Sequence, residues 1–420
     1  MGGGGVQRWL KTTKYIREYG WEPIIFTPSN GEISIMDKEM VKEIPEGVKE
    51  IRTPIWEPFD LYKKLLGKKK EEKMAPGMAQ ATKGNTFLQN LSIFIRGNFF
   101  IPDARKFWIQ PASKYLIKYL KENPVDAIVS SGPPHSTHLI ALNTIQKRPT
   151  PWLADFRDPW TNIDFYHKLK LTNWANKKHH RLEQKVLDTA DQVVTVTWSW
   201  AEDFFKTNGR MPMVITNGFD PADFTQAGKM ALDKKFTITH VGALNDDRNP
   251  HALWQALQEL GKEHKDFLNN LQIQFIGQVD VSAVDEIREY ELSNNLVELG
   301  SMNHKAAIKK MITSQLLLLP LNDTPNIDGV VPGKLYEYIG AKRPIVCIGK
   351  VDGDAGKIIS ETNAGSISDF TDVTNLKESL INYYQLYQDG NLTVSSEGYE
   401  KYSRQLLAGQ IAEELNKIAH

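Results

Sequence analysis

The chain has 420 residues, its 51 Lys and Arg balance 51 Asp and Glu, and Cys347 is its single cysteine. That length exceeds one ordinary core and predicts two domains of roughly 200 residues each, while zero formal charge removes any global field favouring nucleic acid. One thiol excludes an internal disulfide and a cysteine-based zinc cage, and no run reaches the about 18 apolar residues of a membrane span, so the chain reads as cytosolic.

In chain order, Gly2 to Gly5 precede a helix whose apolar face is read as Val6, Trp9, Leu10, Thr13 and Ile16, with Gly20 placed to end it. Gly2 would suit N-myristoylation, but that motif wants Ser or Thr where Val6 stands. Strands are expected at "EPIIFTP", near Val48 to Arg52, and at "VDAIVSS", "PWLADF" and "QVVTVT", with helices after "GPPHSTH" and through Arg181 to Leu187. The second half repeats this grammar. Strands "FTITHVG", "LQIQFIG", "QLLLLPL" and "PIVCIG" alternate with helices "NPHALWQALQEL", "NHKAAIKKMI" and "PGKLYEYIGA". Such alternation predicts α/β architecture, two Rossmann-like doubly wound domains with parallel sheets whose ligands bind beyond the carboxyl ends of the strands. The expected division is an N-terminal domain at 1–216, a linker at 217–235 where periodicity lapses, a C-terminal domain at 236–395, and a final helix within 396–420 that packs back on the body.

Residues 57–108 read as the least regular stretch. "LSIFIRGNFFIPDARKFW" interleaves apolar and cationic residues, a pattern suited to an anionic membrane surface as well as to a buried excursion. Peripheral contact with the inner face of the plasma membrane is therefore an expectation.

Beyond these elements, the succession "VITNGFD", "HVGALNDDRNP", "LQIQFIG", "LVELGSMNH", "LLLLPLND" and "VVPGKLYEYIGAKRPIV" resembles the retaining nucleotide-sugar glycosyltransferases of the GT-B fold, specifically glycosyltransferase family 4. "SGPPHSTH", "ADFRDPW" and "DTADQVVTVT" extend the resemblance through the first half. It implies two domains facing a cleft, with an acceptor-side N-terminal domain and a nucleotide-sugar-binding C-terminal one. It also implies a β-strand before the glycines, so the first strand of the N-terminal domain is expected to be missing, with the true start upstream of Met1 and poor solubility as the consequence.

Glycines at a helix start let an anion approach free N–H groups, and Gly4 and Gly5 are expected to face the donor pyrophosphate or the acceptor. A departing nucleoside diphosphate gathers negative charge and calls for fixed cations, for which Arg248 and Lys334 are the candidates. The family pattern has an arginine where Ala243 stands, so one cation is absent, and the backbone amides around Val331 are expected to cap the phosphates. Glu337 matches the second of the family's paired glutamates, implied to hold the ribose hydroxyls. Gly329 occupies the place of the first, and adjacent Asp328 is the substitute. The base is implied to be read by backbone at Ser301 to Asn303. In "ADFRDPW", Arg157 replaces a common family histidine and is expected to act electrostatically or on the acceptor, since arginine cannot serve as a base. Asp158 is expected to orient an acceptor hydroxyl or to pair with Arg157, and His135 to contact sugar or acceptor. Asp352 and Asp354 have the spacing of a metal-binding "DGD", but Asp354 is read as a helix cap, so no metal and no cofactor beyond the nucleotide-sugar co-substrate is expected.

The function implied is sugar transfer with retention from a nucleotide-diphosphate sugar to a glycan or lipid-linked acceptor, in cell-surface polysaccharide biosynthesis, with no nucleic-acid partner. A nucleotide-sugar epimerase shares this architecture and would need no acceptor. A non-catalytic nucleotide-sugar binder would show no turnover.

Overall fold

The computed structural model describes residues 4–31, 41–57, 86–394 and 396–419. It contains two compact units, Met1–Thr216 with Leu407–His420, and Asn217–Leu406.

The first unit opens with α1 (Gly4–Tyr15), followed by β1 (Ile24–Pro28) and β2 (Lys49–Thr53), which pair in parallel. Where the sequence reads as irregular, two helices stand instead, α2 (Thr86–Phe99) and α3 (Lys106–Glu122); residues 58–85 lie outside the described residues. A four-stranded parallel sheet follows in the order β3-β4-β5-β6, from β3 (Ile128–Gly132), β4 (Trp152–Phe156), β5 (Gln192–Thr195) and β6 (Met213–Val214). Its connecting helices are α4 (Ser136–Ile145), α5 (Asn173–Thr189) and α6 (Trp198–Asn208). β4 is buried along its whole length because strands lie on both sides and helices cover both faces. Among the described residues no strand joins β1 to β3, and what stands before Gly4 lies outside them.

The buried face of α1 and the turn that follows it matches the periodicity in part: Thr13 and Ile16 are buried, Val6 is exposed, and Arg8, Lys11 and Thr12 are buried as well. Arg8 is held inward by an ion pair with Asp155 near the end of β4.

The second unit holds a six-stranded parallel sheet in the order β12-β11-β10-β7-β8-β9. Its strands are β7 (Phe236–Val241), β8 (Leu271–Ile276), β9 (Leu296–Gly300), β10 (Leu316–Pro320), β11 (Ile345–Ile348) and β12 (Gly365–Ser368). The helices are α7 (His251–Glu263), α8 (Val281–Glu289), α9 (His304–Thr313), α10 (Gly333–Ala341), α11 (Asp354–Glu361) and α12 (Val373–Gln388). The parallel α/β class read from the strand and helix alternation is thus the observed one. Strand order reverses between β7 and β10, and the crevice at such a reversal is where doubly wound sheets take ligands.

The stretch 217–235, read as a linker, is packed in the second unit. Phe219 and Phe224 are buried against Leu335, Ile339 and Tyr402, and the Asp220 side chain caps the short helical turn Pro221–Phe224 by accepting from the Ala222 amide at 3.0 Å. The final helix, α13 (Arg404–Ile418), starts later than residue 396, and its Leu407, Ile411 and Leu415 pack with Ile16, Leu153, Val194 and Ile215 in the first unit.

Candidate functional site

In the second unit the ladder between β7 and β10 is short, joining Ile238 to Leu316 and Thr239 to Leu317. Beyond it the strands part. The Tyr338 hydroxyl of α10 fills the opening, accepting from the Val241 amide at 2.9 Å and donating to the Leu318 carbonyl at 3.3 Å. Gly242 stands at the mouth with φ +130°, where a Cβ would come within 2.6 Å of Lys334 Cε and 2.8 Å of its Nζ. Only glycine allows both that dihedral and the approach of the ammonium.

Lys334 is the second residue of α10. Burial pushes its ammonium below the ordinary value, neighbouring Arg248 adds to the effect, and Glu337 opposes it. Arg248 is fixed by its Nε donating to Asn322 Oδ1 at 2.7 Å, just past the end of β10. Two cations thus lie near one another beside a helix start, an arrangement whose mutual repulsion a bound anion would relieve.

Glu337 sits one turn beyond Lys334 on α10 and is half-buried. Burial pushes its carboxyl above the usual carboxylate range; His304, Lys334 and Arg404 pull it back, while Asp223 raises it further. His304 Nε2 lies 3.4 Å from Asp223 Oδ2, and Arg404 Nη1 lies 3.5 Å from Asn217 Oδ1. Sequence reasoning missed this surround of Glu337, although His304 directly follows Asn303, which it did single out.

The other expected donor residues are placed as follows. Val331 is buried just before α10. Asn303 caps α9, its side chain accepting from the Ala306 amide at 2.9 Å. Asp328 is exposed and pairs with Lys350. Asp354, read as a cap, is the first residue of α11 behind an N-cap at Gly353, and its carboxylate accepts from Lys357 Nζ at 3.3 Å. Among the described residues no group of three or more His, Cys, Asp or Glu is placed to hold a metal ion.

The remaining candidates lie in the first unit. Asp155 is fully buried and accepts from Arg8, from Trp9 Nε1 at 2.7 Å and from Ser131 Oγ at 2.7 Å. Despite burial, Arg8, the Ser131 hydroxyl and Arg157 hold its carboxyl below the usual range. Arg157 turns back toward α1, its Nε donating to Ser131 Oγ at 2.9 Å and its Nη2 to the Pro133 carbonyl. A Cβ at Gly5 would fall 1.2 Å from Arg157 Nη1, so the glycine at the start of α1 makes room for a guanidinium. Asp158 is half-buried, with its carboxyl raised by burial and lowered by Arg157. His135 is buried and stacks on Trp160 at 4.8 Å, while His138 stacks on Phe156 at 4.4 Å and its Nδ1 lies 2.8 Å from Ser130 Oγ. Burial keeps both imidazoles neutral, His135 far below the ordinary value and His138 lowered to about 3.

No family model matches the chain, and no curated protein matches it by sequence. Solved structures do. A sucrose-phosphate synthase from Thermosynechococcus elongatus is similar with a TM-score of 0.59 at 12% identity, over 99% of this chain and 93% of that one. HepE from Anabaena, in complex with UDP, gives 0.54 at 16% identity over 73% of this chain and 82% of its own. WaaG, a glycosyltransferase involved in lipopolysaccharide biosynthesis, gives 0.51 at 13% identity over 99% and 92%. At such identities the likeness defines the fold, the two-domain α/β fold of the GT-B glycosyltransferases.

Proposed function

We propose that this protein is a retaining glycosyltransferase of the family 4 type. It moves a sugar from a nucleoside-diphosphate sugar to a glycan or lipid-linked acceptor, in the assembly of a cell-surface polysaccharide at the cytoplasmic face of the membrane. The observation that carries the reading is the placement of Lys334 over Gly242 at the β7–β10 opening, with Arg248 held nearby on Asn322 and Glu337 one turn further along α10. Support also comes from the shared fold of structures that hold UDP, among them HepE.

In this reading Arg248 and Lys334 neutralise the charge that grows on the diphosphate as the glycosidic bond breaks, with the amides around Val331 assisting. Fixed cations in a half-buried site do this without reorganising at the moment of reaction. Glu337 accepts the ribose hydroxyls, the backbone at Asn303 meets the base, and Asp328 stands where a second carboxylate would approach the sugar. Gly4 and Gly5 meet the donor pyrophosphate or the acceptor, Arg157 and Asp158 act on the acceptor, and His135 contacts sugar or acceptor. Positioning and charge stabilisation supply most of the rate enhancement, so no covalent nucleophile is required. Transfer proceeds without a metal, and activity is retained in EDTA; loss restored by Mg²⁺ or Mn²⁺ would overturn that part.

The test is a thermal-shift series with UDP, GDP, ADP and their common sugars on the native protein and on Glu337→Gln. A ligand at 100 times its Kd stabilises by about 2.7 kcal/mol. One nucleotide series should stabilise the native protein and lose its effect in the variant. No shift with any nucleotide sinks the reading.

A further inference from the structure

Arg248 ends a single helical turn, Asp246–Arg248, on the loop between β7 and α7, and it is half-buried near the like charge of Lys334. A long cationic side chain in that position swings toward solvent unless the backbone beneath it is fixed. The next residue fixes it. Asn249 is buried, and its backbone N–H donates to the Asp246 carbonyl at 3.0 Å, closing the turn that carries Arg248. Both ends of its side-chain amide are engaged as well. Oδ1 accepts from Nε1 of the fully buried Trp254 on α7 at 2.8 Å, and Nδ2 donates to Glu286 Oε2 on α8. Glu286 in turn meets His251 Nδ1 at 2.7 Å.

An indole N–H only donates and a carboxylate only accepts, so the Asn249 amide has one orientation and the contact has a polarity that can be reversed. The two helices do not need this tie to stay together, because Leu253, Leu257, Ala283 and Ile287 already place them in one apolar core. What the amide adds is a fixed loop. The same loop is strapped to the segment after β8, the Leu244 amide donating to the Gln278 carbonyl at 2.9 Å and the Asp280 amide to the Leu244 carbonyl at 2.8 Å. With the Arg248 Nε on Asn322 Oδ1, backbone and guanidinium are both anchored.

We propose that Asn249 is a positioning residue, holding the Asp246–Arg248 turn through Trp254 and Glu286 so that the Arg248 guanidinium meets the nucleotide diphosphate in a set geometry. The inference rests on the assignment of Arg248 to that diphosphate. Order built in when the chain folds need not be created when the ligand binds, and a guanidinium already in place stabilises the leaving group without reorganising. Asn249 is buried with both ends of its amide engaged, so it acts through Arg248.

The test is calorimetric titration of the full chain with UDP, GDP and ADP and with uridine, guanosine and adenosine. Asn249→Asp sets a carboxylate against Glu286 and should weaken binding of the diphosphate about tenfold, while its nucleoside changes by less than about twofold. Glu286→Ala, at a half-buried helix position that suits alanine, should act in the same sense by about threefold. Asn249→Asp with Glu286→Gln exchanges donor and acceptor across the contact and should restore affinity to within about threefold of native. In an Arg248→Ala background Asn249→Asp should bring no further loss, since its target is gone. Equal loss of diphosphate and nucleoside, no recovery in the exchanged pair, or an undiminished effect without Arg248 would overturn the proposal and leave Asn249 a residue of stability alone. Should Asn249→Asp misfold by circular dichroism, Glu286→Ala and the exchanged pair decide in its place. A native chain that binds no diphosphate, or an Arg248→Ala chain that binds it as well as native, sinks the reading of the site and this inference with it. If Arg248→Ala weakens binding and Asn249→Asp does not, only the inference falls.

Discussion

Arg8 and Asp155 are joined by two contacts, Nη2 to Oδ1 at 3.0 Å and Nε to Oδ2 at 3.3 Å, with both side chains essentially excluded from solvent. Arg8 also donates through Nη1 to the Thr216 carbonyl at 2.7 Å, so one guanidinium ties α1 to the end of β4 and to the last residue before the second unit.

Arg8→Ala would leave the carboxylate buried with only Trp9 and Ser131 as donors. Destabilisation of roughly 3–5 kcal/mol is expected, and Arg8→Leu with Asp155→Leu should cost less than the sum of its single changes. A double-mutant cycle from denaturant unfolding measures this; simple additivity would contradict the pairing.

Acid should weaken the first unit over a defined range. His138 is neutral in the fold, with its pKa lowered to about 3, whereas an unfolded histidine titrates near about 6.5. Below the unfolded value the unfolded chain binds a proton that the folded one refuses, so stability declines by up to about 1.4 kcal/mol per pH unit as pH falls toward the folded value. His135 acts in the same sense. The depressed Asp155 carboxyl adds to the loss at lower pH, because the stability it supplies above its unfolded value disappears as pH falls through its folded one. Urea unfolding at neutral pH and at about pH 5 should differ accordingly, and His138→Asn should flatten the slope.

Gly242→Ala should impair ligand binding more than folding. The added methyl meets Lys334 Cε and Nζ and strains a backbone at φ +130°, at a cost of about 1–3 kcal/mol. Displacing the ammonium should weaken nucleoside-diphosphate binding roughly tenfold or more while leaving nucleoside binding nearly intact. Calorimetric titration with both ligands distinguishes the two, and equal losses would remove Lys334 from the diphosphate.

Nucleotide affinity should depend on pH through Glu337. Its carboxyl titrates above the usual range, and the ionised form is the better acceptor for ribose hydroxyls. Affinity should therefore fall as pH drops through that raised value, above where an ordinary glutamate titrates. Glu337→Gln should bind more weakly on the alkaline side of that value and show a flatter profile.

Legibility in the sequence followed burial and distance. Strands such as "QLLLLPL" and "FTITHVG" are plain because parallel strands buried on both faces read as apolar runs. β12 is not, since at the sheet edge it has the sequence "GSIS", and Gly365 is required where a Cβ would fall 2.0 Å from the Ile345 carbonyl oxygen. Lys334 and Glu337 could be picked out together because they share one helix. Arg8 could not, because its partner lies 147 residues away and helical periodicity treats a cation as an outward residue.

The division of the first unit between the two ends of the chain sets an order of events during synthesis. The second unit, Asn217–Leu406, is fully translated while the first still lacks α13. Until Leu407, Ile411 and Leu415 leave the ribosome, the apolar side chains of Ile16, Leu153, Val194 and Ile215 have no cover from that helix. The half made first is thus the half finished last, and its exposure to chaperones and proteases spans the whole time the other half takes to be made.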